Sequence, residues 1–313
     1  METAPLFTDL ANGPKGGAAY WTRTEDGLRI RLGHYEAEGP AKGTVLLFPG
    51  RTEYIEKYGM TAGAFAPVGY HSLIVDWRGQ GLSDRMHPDP CAGHVEYFDD
   101  YQKDVSATLE MARQLGLPKP YHLLSHSMGG CIALRSLVDG LSVASAAFSA
   151  PMWGIVIEPS LRPAAWIVTS LVKRTPLARN YAPGTAQKHY VLFNEFDDNT
   201  LTSDREMFDR MRHQLTEQPN LAIGGPTLRW LNEALIEMRT LSKMPSPDIP
   251  AICAIGSNER IISADRVEDR MNDWPNGRLI RYDAAEHELM VERSEVRDDW
   301  LNNCIALFDE AGN

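Results

Sequence analysis

The chain is short of cysteine, of basic charge and of long apolar runs, and each shortage removes a class of function. Four cysteines (Cys91, Cys131, Cys253 and Cys304) are scattered over 313 residues with no C-x-x-C pair. That spacing points to neither a disulfide framework nor a thiolate metal centre. Cys131 and Cys253 fall inside apolar runs and read as buried free thiols. Lysine and arginine number 31 against 42 acidic residues, a net charge of −11. The balance excludes nucleic acid as a general partner, because phosphate binding needs a basic surface. No apolar stretch reaches the roughly 18 residues of a membrane span. The longest, residues 143–157, contains Pro151 and reads as a buried strand running into a loop. Residues 1–17 show no basic segment followed by an apolar one, so no secretory signal is expected and the expected compartment is the cytoplasm.

What the chain does contain is an alternation of short apolar runs with helical patterns, the mark of an α/β fold with a mostly parallel sheet. Residues 44–48, 72–76, 121–124, 143–149, 251–256 and 279–282 read as strands. Residues 28–32 alternate as an antiparallel edge strand would. Helices are expected over 54–65, 98–115, 131–138 and 296–308, with Gly116 ending the second. The rhythm stops at Pro151 and resumes at Ala251; residues between them carry helical periodicity and frequent prolines. The expected organisation is a core of residues 1–150 and 248–313, with a helical cap inserted over 151–247.

Ser125-His126-Ser127-Met128-Gly129-Gly130 sits between an apolar strand and a helical segment. A serine flanked by small residues at minus two and plus two, at a strand-to-helix turn, reads as a nucleophile elbow. The turn is so sharp that the serine backbone is strained, at a cost of about 1–3 kcal/mol. Bulky neighbours two positions away would collide. Ser125 replaces the usual first glycine, and serine is small enough to fit. The helix N-terminus supplies unpaired N–H groups and partial positive charge for an oxyanion.

A serine hydroxyl needs a general base, itself oriented by a third group, and in this topology the order is serine, acid, histidine. His287, between the last strand and the last helix, is placed as the base. His189 and His213 fall in the cap, and strand alternation turns His126 away from the serine Oγ. Glu259, just past the 251–256 strand, is the expected acid. Asp265 is its rival, although Ser263 reads as an N-cap that puts Asp265 in a first helical turn, where the dipole alone favours an acid. The expected oxyanion donors are the N–H of Met128 and that of Arg51, in the turn Pro49-Gly50-Arg51.

Together these residues resemble the α/β-hydrolase superfamily, in particular its monoglyceride lipase and lysophospholipase L2 branch, also described as serine aminopeptidase S33-like. Asp76-Trp77-Arg78-Gly79-Gln80-Gly81-Leu82-Ser83 is similar to the D-x-R-G-x-G-x-S turn of that superfamily, structural in role. Pro49-Gly50-Arg51-Thr52-Glu53-Tyr54 is similar to H-G-x-x-E-H, with Pro49 and Tyr54 departing from it and Glu53 and Tyr58 fitting. Gly256-Ser257-Asn258-Glu259-Arg260 resembles G-S-x-D-R with glutamate for aspartate, which favours Glu259 over Asp265. The departures, with Asn199, Leu201, Thr202, Ser203 and Asp204 and with Gly224-Gly225-Pro226-Thr227, resemble the bacterial lysophospholipase subgroup. The resemblance implies carboxylic ester hydrolysis through an acyl-enzyme, without metal or organic cofactor, on small-molecule esters such as lysophospholipid or monoglyceride. A general carboxylesterase or an aminopeptidase is the alternative, followed by an inactive ligand-binding fold. Ser127 argues against the aspartate-dependent dehalogenase and epoxide hydrolase mechanisms.

In the cap, Leu161, Ala165, Val168, Leu171 and Val172 form one helical stripe with Trp166 and Ile167 on its flank. Arg162, Lys173, Arg174, Arg179 and Lys188 stand near it against a single acid, Glu158. Such a stripe suits peripheral contact with an anionic membrane, at the inner face for a cytoplasmic protein. An ordinary lid helix packed on the core is the preferred reading. Glu195, Asp197, Asp198, Asp204, Glu206 and Asp209 lack calcium-loop spacing and read as a solvated face. Nothing in the sequence fixes an oligomeric state.

Overall fold

The computed structural model describes residues 1–157, 175–185 and 187–312. The cap stripe of Leu161 to Val172, with its flanking Arg162, Lys173 and Arg174, lies outside the described residues.

Nine strands form one sheet in the order β1-β2-β3-β5-β4-β6-β7-β8-β9. They are β1 (Glu2–Ala4), β2 (Ala18–Arg23), β3 (Arg29–Tyr35), β4 (Gly43–Phe48), β5 (Tyr70–Asp76), β6 (Tyr121–His126), β7 (Ser145–Ser149), β8 (Ala251–Gly256) and β9 (Gly277–Tyr282). From β5 to β9 all pairings are parallel, while β1, β2 and β3 join antiparallel. The 28–32 segment is antiparallel as expected but is not an edge. It pairs on one side with β2 and on the other with β5, so both its edges are hydrogen-bonded, and the free edge passes to the three-residue β1.

Both faces of the sheet are buried, which is why its strands read as continuous apolar runs. Alternation divides them: Leu46, Phe48, Leu73 and Leu123 belong to one apolar cluster, Val45, Leu47, Ile74 and Leu124 to the other. The closing helix Ser294–Gly312 covers the second face through Trp300, Cys304 and Phe308. Cys131, Cys253 and Cys304 are buried free thiols, and Cys91 is half-buried.

Two expected helices begin as tighter turns. Ile55–Tyr58 is a 3₁₀ turn before the helix Gly59–Phe65, and Phe98–Asp100 one before Tyr101–Gln114. Gly59 lies where a Cβ would be 2.1 Å from the Ala11 carbonyl oxygen, so the backbone itself is packed there. Gly116 ends the longer helix at φ +66°, a conformation glycine adopts without steric cost.

Between β7 and β8 the chain leaves the sheet. Helix Arg205–Glu217 builds a small core of its own, with Met207, Phe208, Met211 and Leu215 packed on Tyr54 and Val291. Helix Leu228–Leu241 returns to the main core through Trp230, Ala234, Leu235 and Met238. Among the described residues no helix is long and apolar enough to cross a membrane.

Candidate active site

Ser127 joins β6 to the helix Met128–Val138 with φ +47° and ψ −116°, a strained conformation for a residue with a Cβ. The neighbours hold it there. Ser127 N donates to Ser149 O (3.1 Å), and Ser127 O accepts from Gly130 N (2.9 Å) and Met152 N (2.8 Å). A Cβ on Gly129 would lie 2.0 Å from Phe48 O and 2.5 Å from Pro49 O, and one on Gly130 would lie 2.5 Å from the Pro151 Cβ. Helix and strand approach too closely at this point for anything larger. Ser125 fits, fully buried, beneath the turn.

The turn after β4 is pinned from three sides. Trp77 Nε1 donates to Pro49 O (2.8 Å), Gln80 Nε2 to Gly50 O (3.2 Å), and Thr52 N to Gln80 Oε1 (2.6 Å). Gly50 N donates to Glu53 Oε2. Among the described residues, the backbone N–H groups of Arg51 and Met128 are not engaged in any hydrogen bond. Two free donors therefore stand beside the strained serine, as an oxyanion hole requires.

His287 is buried in the loop after β9, and its Nδ1 lies 2.7 Å from Glu259 Oε2. The other Glu259 oxygen accepts from Ile261 N (2.7 Å) and Ile262 N (3.0 Å). Burial alone would raise the Glu259 carboxyl. The charge and hydrogen bond of His287, with the two amides, outweigh it and hold the carboxyl below its ordinary value. The Glu259 and His287 loops are tied together by one backbone and one side-chain bond: Asn258 N donates to Ala285 O (3.0 Å) and Ala284 N to Ser257 Oγ (2.8 Å). Asp265 is exposed in the first turn of helix Ala264–Asn272. Ser263 occupies the N-cap position there, without a side-chain capping bond. Ser127 and His287 line one cavity of about 540 Å³, within the range of small-molecule sites. No hydrogen bond joins the two side chains among the described residues, a looseness common before substrate arrives.

Beneath His287 lies a buried charged cluster that sequence patterning did not reveal. Lys57 Nζ sits 2.5 Å from Glu53 Oε1 and 2.6 Å from Glu288 Oε2. His126 Nε2 is 3.2 Å from Glu288 Oε2, while its Nδ1 faces Ser149 O (3.1 Å) and Oγ (3.2 Å). His126 is thus bonded away from Ser127, as alternation predicts, yet its ring centroid is 4.8 Å from that of His287. Burial would push the Glu288 carboxyl up, but Lys57 and His126 hold it well below the ordinary range. Burial would likewise lower His126 and Lys57, and the carboxylates raise both instead. Glu53, His126 and Glu288 have the donor set of a metal site, but the Lys57 ammonium already supplies the cation. Beyond the motif that includes Glu53, the i,i+4 spacing of Glu53 and Lys57 is a sequence sign of this cluster.

The insertion reaches the same place. His287 N and Glu288 N donate to Thr200 O (3.4 Å) and Leu201 O (2.8 Å). Ser203 bonds Glu292 through both N (2.9 Å) and Oγ (2.6 Å). Arg260 pairs with Asp198 Oδ1 (2.7 Å) and Asn199 O (2.7 Å). The 198–203 segment therefore grips the Glu259 and His287 loops, while the acids of the 195–209 run are exposed, as a solvated face would be, except for the half-buried Asp204. The Asp76–Ser83 turn is structural: Asp76 accepts from Arg31 Nε (2.7 Å), Ile55 N (2.9 Å) and Leu82 N (2.9 Å).

Strand order, the serine turn and the position of the histidine loop are those of the α/β-hydrolase fold, a class defined by architecture and not by one substrate. The family described as Serine aminopeptidase, S33, matches residues 39–294, and the chain belongs to it. Lysophospholipase L2 of Escherichia coli K12 is 29% identical over 294 residues, covering 91% of this chain and 85% of that protein. Probable lysophospholipase L2 of Haemophilus influenzae is 28% identical over 270 residues, 86% and 84% of the two chains. The structure of a soluble variant of monoglyceride lipase from Saccharomyces cerevisiae, in complex with a substrate analog, superposes with a TM-score of 0.72 at 20% identity, over 93% and 94% of the two chains.

Proposed function

We propose that this protein is a serine hydrolase of carboxylic esters that acts on monoacyl lipids through an acyl-enzyme. His287 Nε2 takes the proton of Ser127 Oγ as the oxygen attacks the acyl carbonyl. The Arg51 and Met128 N–H groups hold the oxyanion, and Glu259 fixes the tautomer of His287 and stabilises its imidazolium. His287 then protonates the leaving alcohol, and water, activated by the same histidine, releases the acid. The observation that carries this reading is the strained Ser127 sharing a cavity with a buried His287 bonded to Glu259.

The lipid substrate is supported by the lysophospholipase relatives. An aminopeptidase would need a carboxylate for the substrate ammonium. The carboxylates lining the described cavity, Glu53 and Glu288, are taken by Lys57 and His126. We take residues 151–247 as the cap that selects the acyl chain, with 1–150 and 248–313 as the hydrolase core. A mass-spectrometric profile of lipid hydrolysis, with an aminoacyl anilide alongside and Ser127→Ala as control, tests the proposal. Release of fatty acid from monoacyl lipids by the wild type alone supports it. Cleavage of the anilide with no attack on any monoacyl ester would overturn it.

A further inference from the structure

We propose that the Arg51 side chain is an anion subsite of this cavity, reading a phosphodiester on the head group of the substrate. The inference rests on the ester-hydrolase reading above and narrows its substrate to monoacyl glycerophospholipids in preference to neutral monoacylglycerols.

Arg51, half-buried in the cavity wall, is set apart from the other buried and half-buried arginines by what it lacks. Arg31 is paired with Asp76 and Glu56, Arg78 with Asp104 and Asp26, Arg135 with Glu237 and Arg229 with Glu96. Among the described residues Arg85, Arg210, Arg212 and Arg270 have no such pairing, but each donates to two or more protein oxygens, and none lines the cavity. The Arg51 guanidinium, with five N–H donors, makes a single hydrogen bond among the described residues, from Nη1 to Gly224 O at 2.9 Å. It rests near the Trp230 ring, with Cζ 5.6 Å from the centroid. Burial pushes it down to about 10 with only Tyr101 opposing, so it remains a cation at neutral pH.

A cation so placed is costly to leave uncompensated in a cavity wall, and a planar guanidinium suits the paired oxygens of a phosphate. The surroundings point the same way. Lys188 also lines the cavity; it contacts the Phe193 ring at 5.2 Å and has no acidic partner among the described residues. The cavity thus presents a half-buried guanidinium and an exposed ammonium, neither with an acidic partner among the described residues, in a protein of net charge −11. Gly224, whose carbonyl accepts the Arg51 bond, and Gly225 line the same cavity.

The length of the Arg51 side chain also suits such a contact. The Arg51 N–H is the proposed oxyanion donor, so its guanidinium is tethered one side chain's length from that carbonyl. In a monoacyl glycerophospholipid, the glycerol unit places the phosphate a comparable number of bonds from the acyl ester. A monoacylglycerol offers hydroxyl oxygens but no negative charge to either cation.

The test compares kcat/KM for a short-chain 1-acyl glycerophosphoglycerol and the monoacylglycerol of the same acyl chain, both presented as monomers, in wild type, Arg51→Met and Arg51→Lys. The ratio of the two values is expected to fall at least tenfold in Arg51→Met, through KM, and to recover in part in Arg51→Lys. An unchanged ratio overturns the proposal even if both rates fall, because the side chain would then serve only to support its turn. Binding of the lysophospholipid to Ser127→Ala and to Ser127→Ala/Arg51→Met, measured calorimetrically, gives a readout independent of turnover. A tenfold weaker double variant is expected, and equal affinities overturn the subsite. Glycerol 3-phosphate should compete in the Ser127→Ala protein; equal competition by inorganic phosphate would reassign the site to the free ion and overturn head-group reading. If the wild type hydrolyses neither ester and resists fluorophosphonate, the hydrolase reading fails, while the binding comparison still decides the role of Arg51.

Discussion

Replacing Lys57 by methionine keeps most of the side chain's volume and removes the charge held between Glu53 and Glu288, at 2.5 and 2.6 Å. Both carboxylates are buried, with side chains only 3% and 8% exposed, so neither can turn to water for compensation. Breaking a buried pair by removing one partner costs about 3–5 kcal/mol, because the remaining charge is stranded. With an unfolding entropy of about 2.1 cal/mol/K per residue, that cost lowers the melting temperature by about 5–8 °C in a chain of this length. The effect should extend to turnover. Glu53 accepts from Gly50 N and from the Tyr58 hydroxyl, and Glu288 adjoins His287, so the cluster links the oxyanion turn to the histidine loop. The triple variant Glu53→Gln/Lys57→Met/Glu288→Gln removes all three charges at nearly constant shape and should be more stable than Lys57→Met alone. Thermal melts with urea titrations decide it. A Lys57→Met shift below 2 °C, or a triple variant no more stable than the single, would refute the reasoning.

Glu259→Gln retains an oxygen for the Ile261 and Ile262 amides but loses the charge facing His287. Its kcat should fall by roughly a thousandfold or more, whereas Asp265→Asn should stay near wild type; the opposite pattern would move the acid to Asp265. Gly129→Ala drives a Cβ to 2.0 Å from a backbone oxygen that cannot move aside, so a thermal melt should show a loss of at least about 1–3 kcal/mol. An unchanged melt and activity would mean the elbow is looser than described. His189 is held neutral by burial, down to about 4, against the smaller opposing effect of its bond to Thr52 O. The unfolded chain therefore takes up this proton first, and the stability is complete above the ordinary pKa of about 6.5 and lost as pH falls toward 4. Between pH 7 and 5 the wild type should lose about 2 kcal/mol more than His189→Gln in urea titrations; parallel curves would contradict the assignment.

The elbow was legible because its constraints are local. A strained serine, a glycine two residues on and a helix N-terminus follow one another in sequence, and the Gly129 contact with Phe48 and Pro49 gives the steric reason. The Glu259–His287 pair was legible because each residue lies in the loop that leaves the end of its strand, and their bond joins two adjacent loops at one sheet edge. The Glu53, Lys57, His126 and Glu288 cluster was not legible. Its members come from three separate segments of the chain, and only the placement of β4 beside β6 and the return of the histidine loop bring them together. The antiparallel strands β1 and β2 escaped notice because one has three residues and the other a poorly alternating face. In the insertion, composition marked the acidic run as solvated, but it could not show that Asp198, Asn199 and Ser203 face Arg260 and Glu292. Those partners lie far along the chain and form no periodic pattern.

The central claim is that Ser127 is the nucleophile. Intact-mass analysis after exposure to a fluorophosphonate, with the adduct mapped by peptide sequencing, tests it most directly. The account predicts a single adduct, located on Ser127 and absent from Ser127→Ala. An adduct on another residue, or labelling that persists in Ser127→Ala, would contradict it.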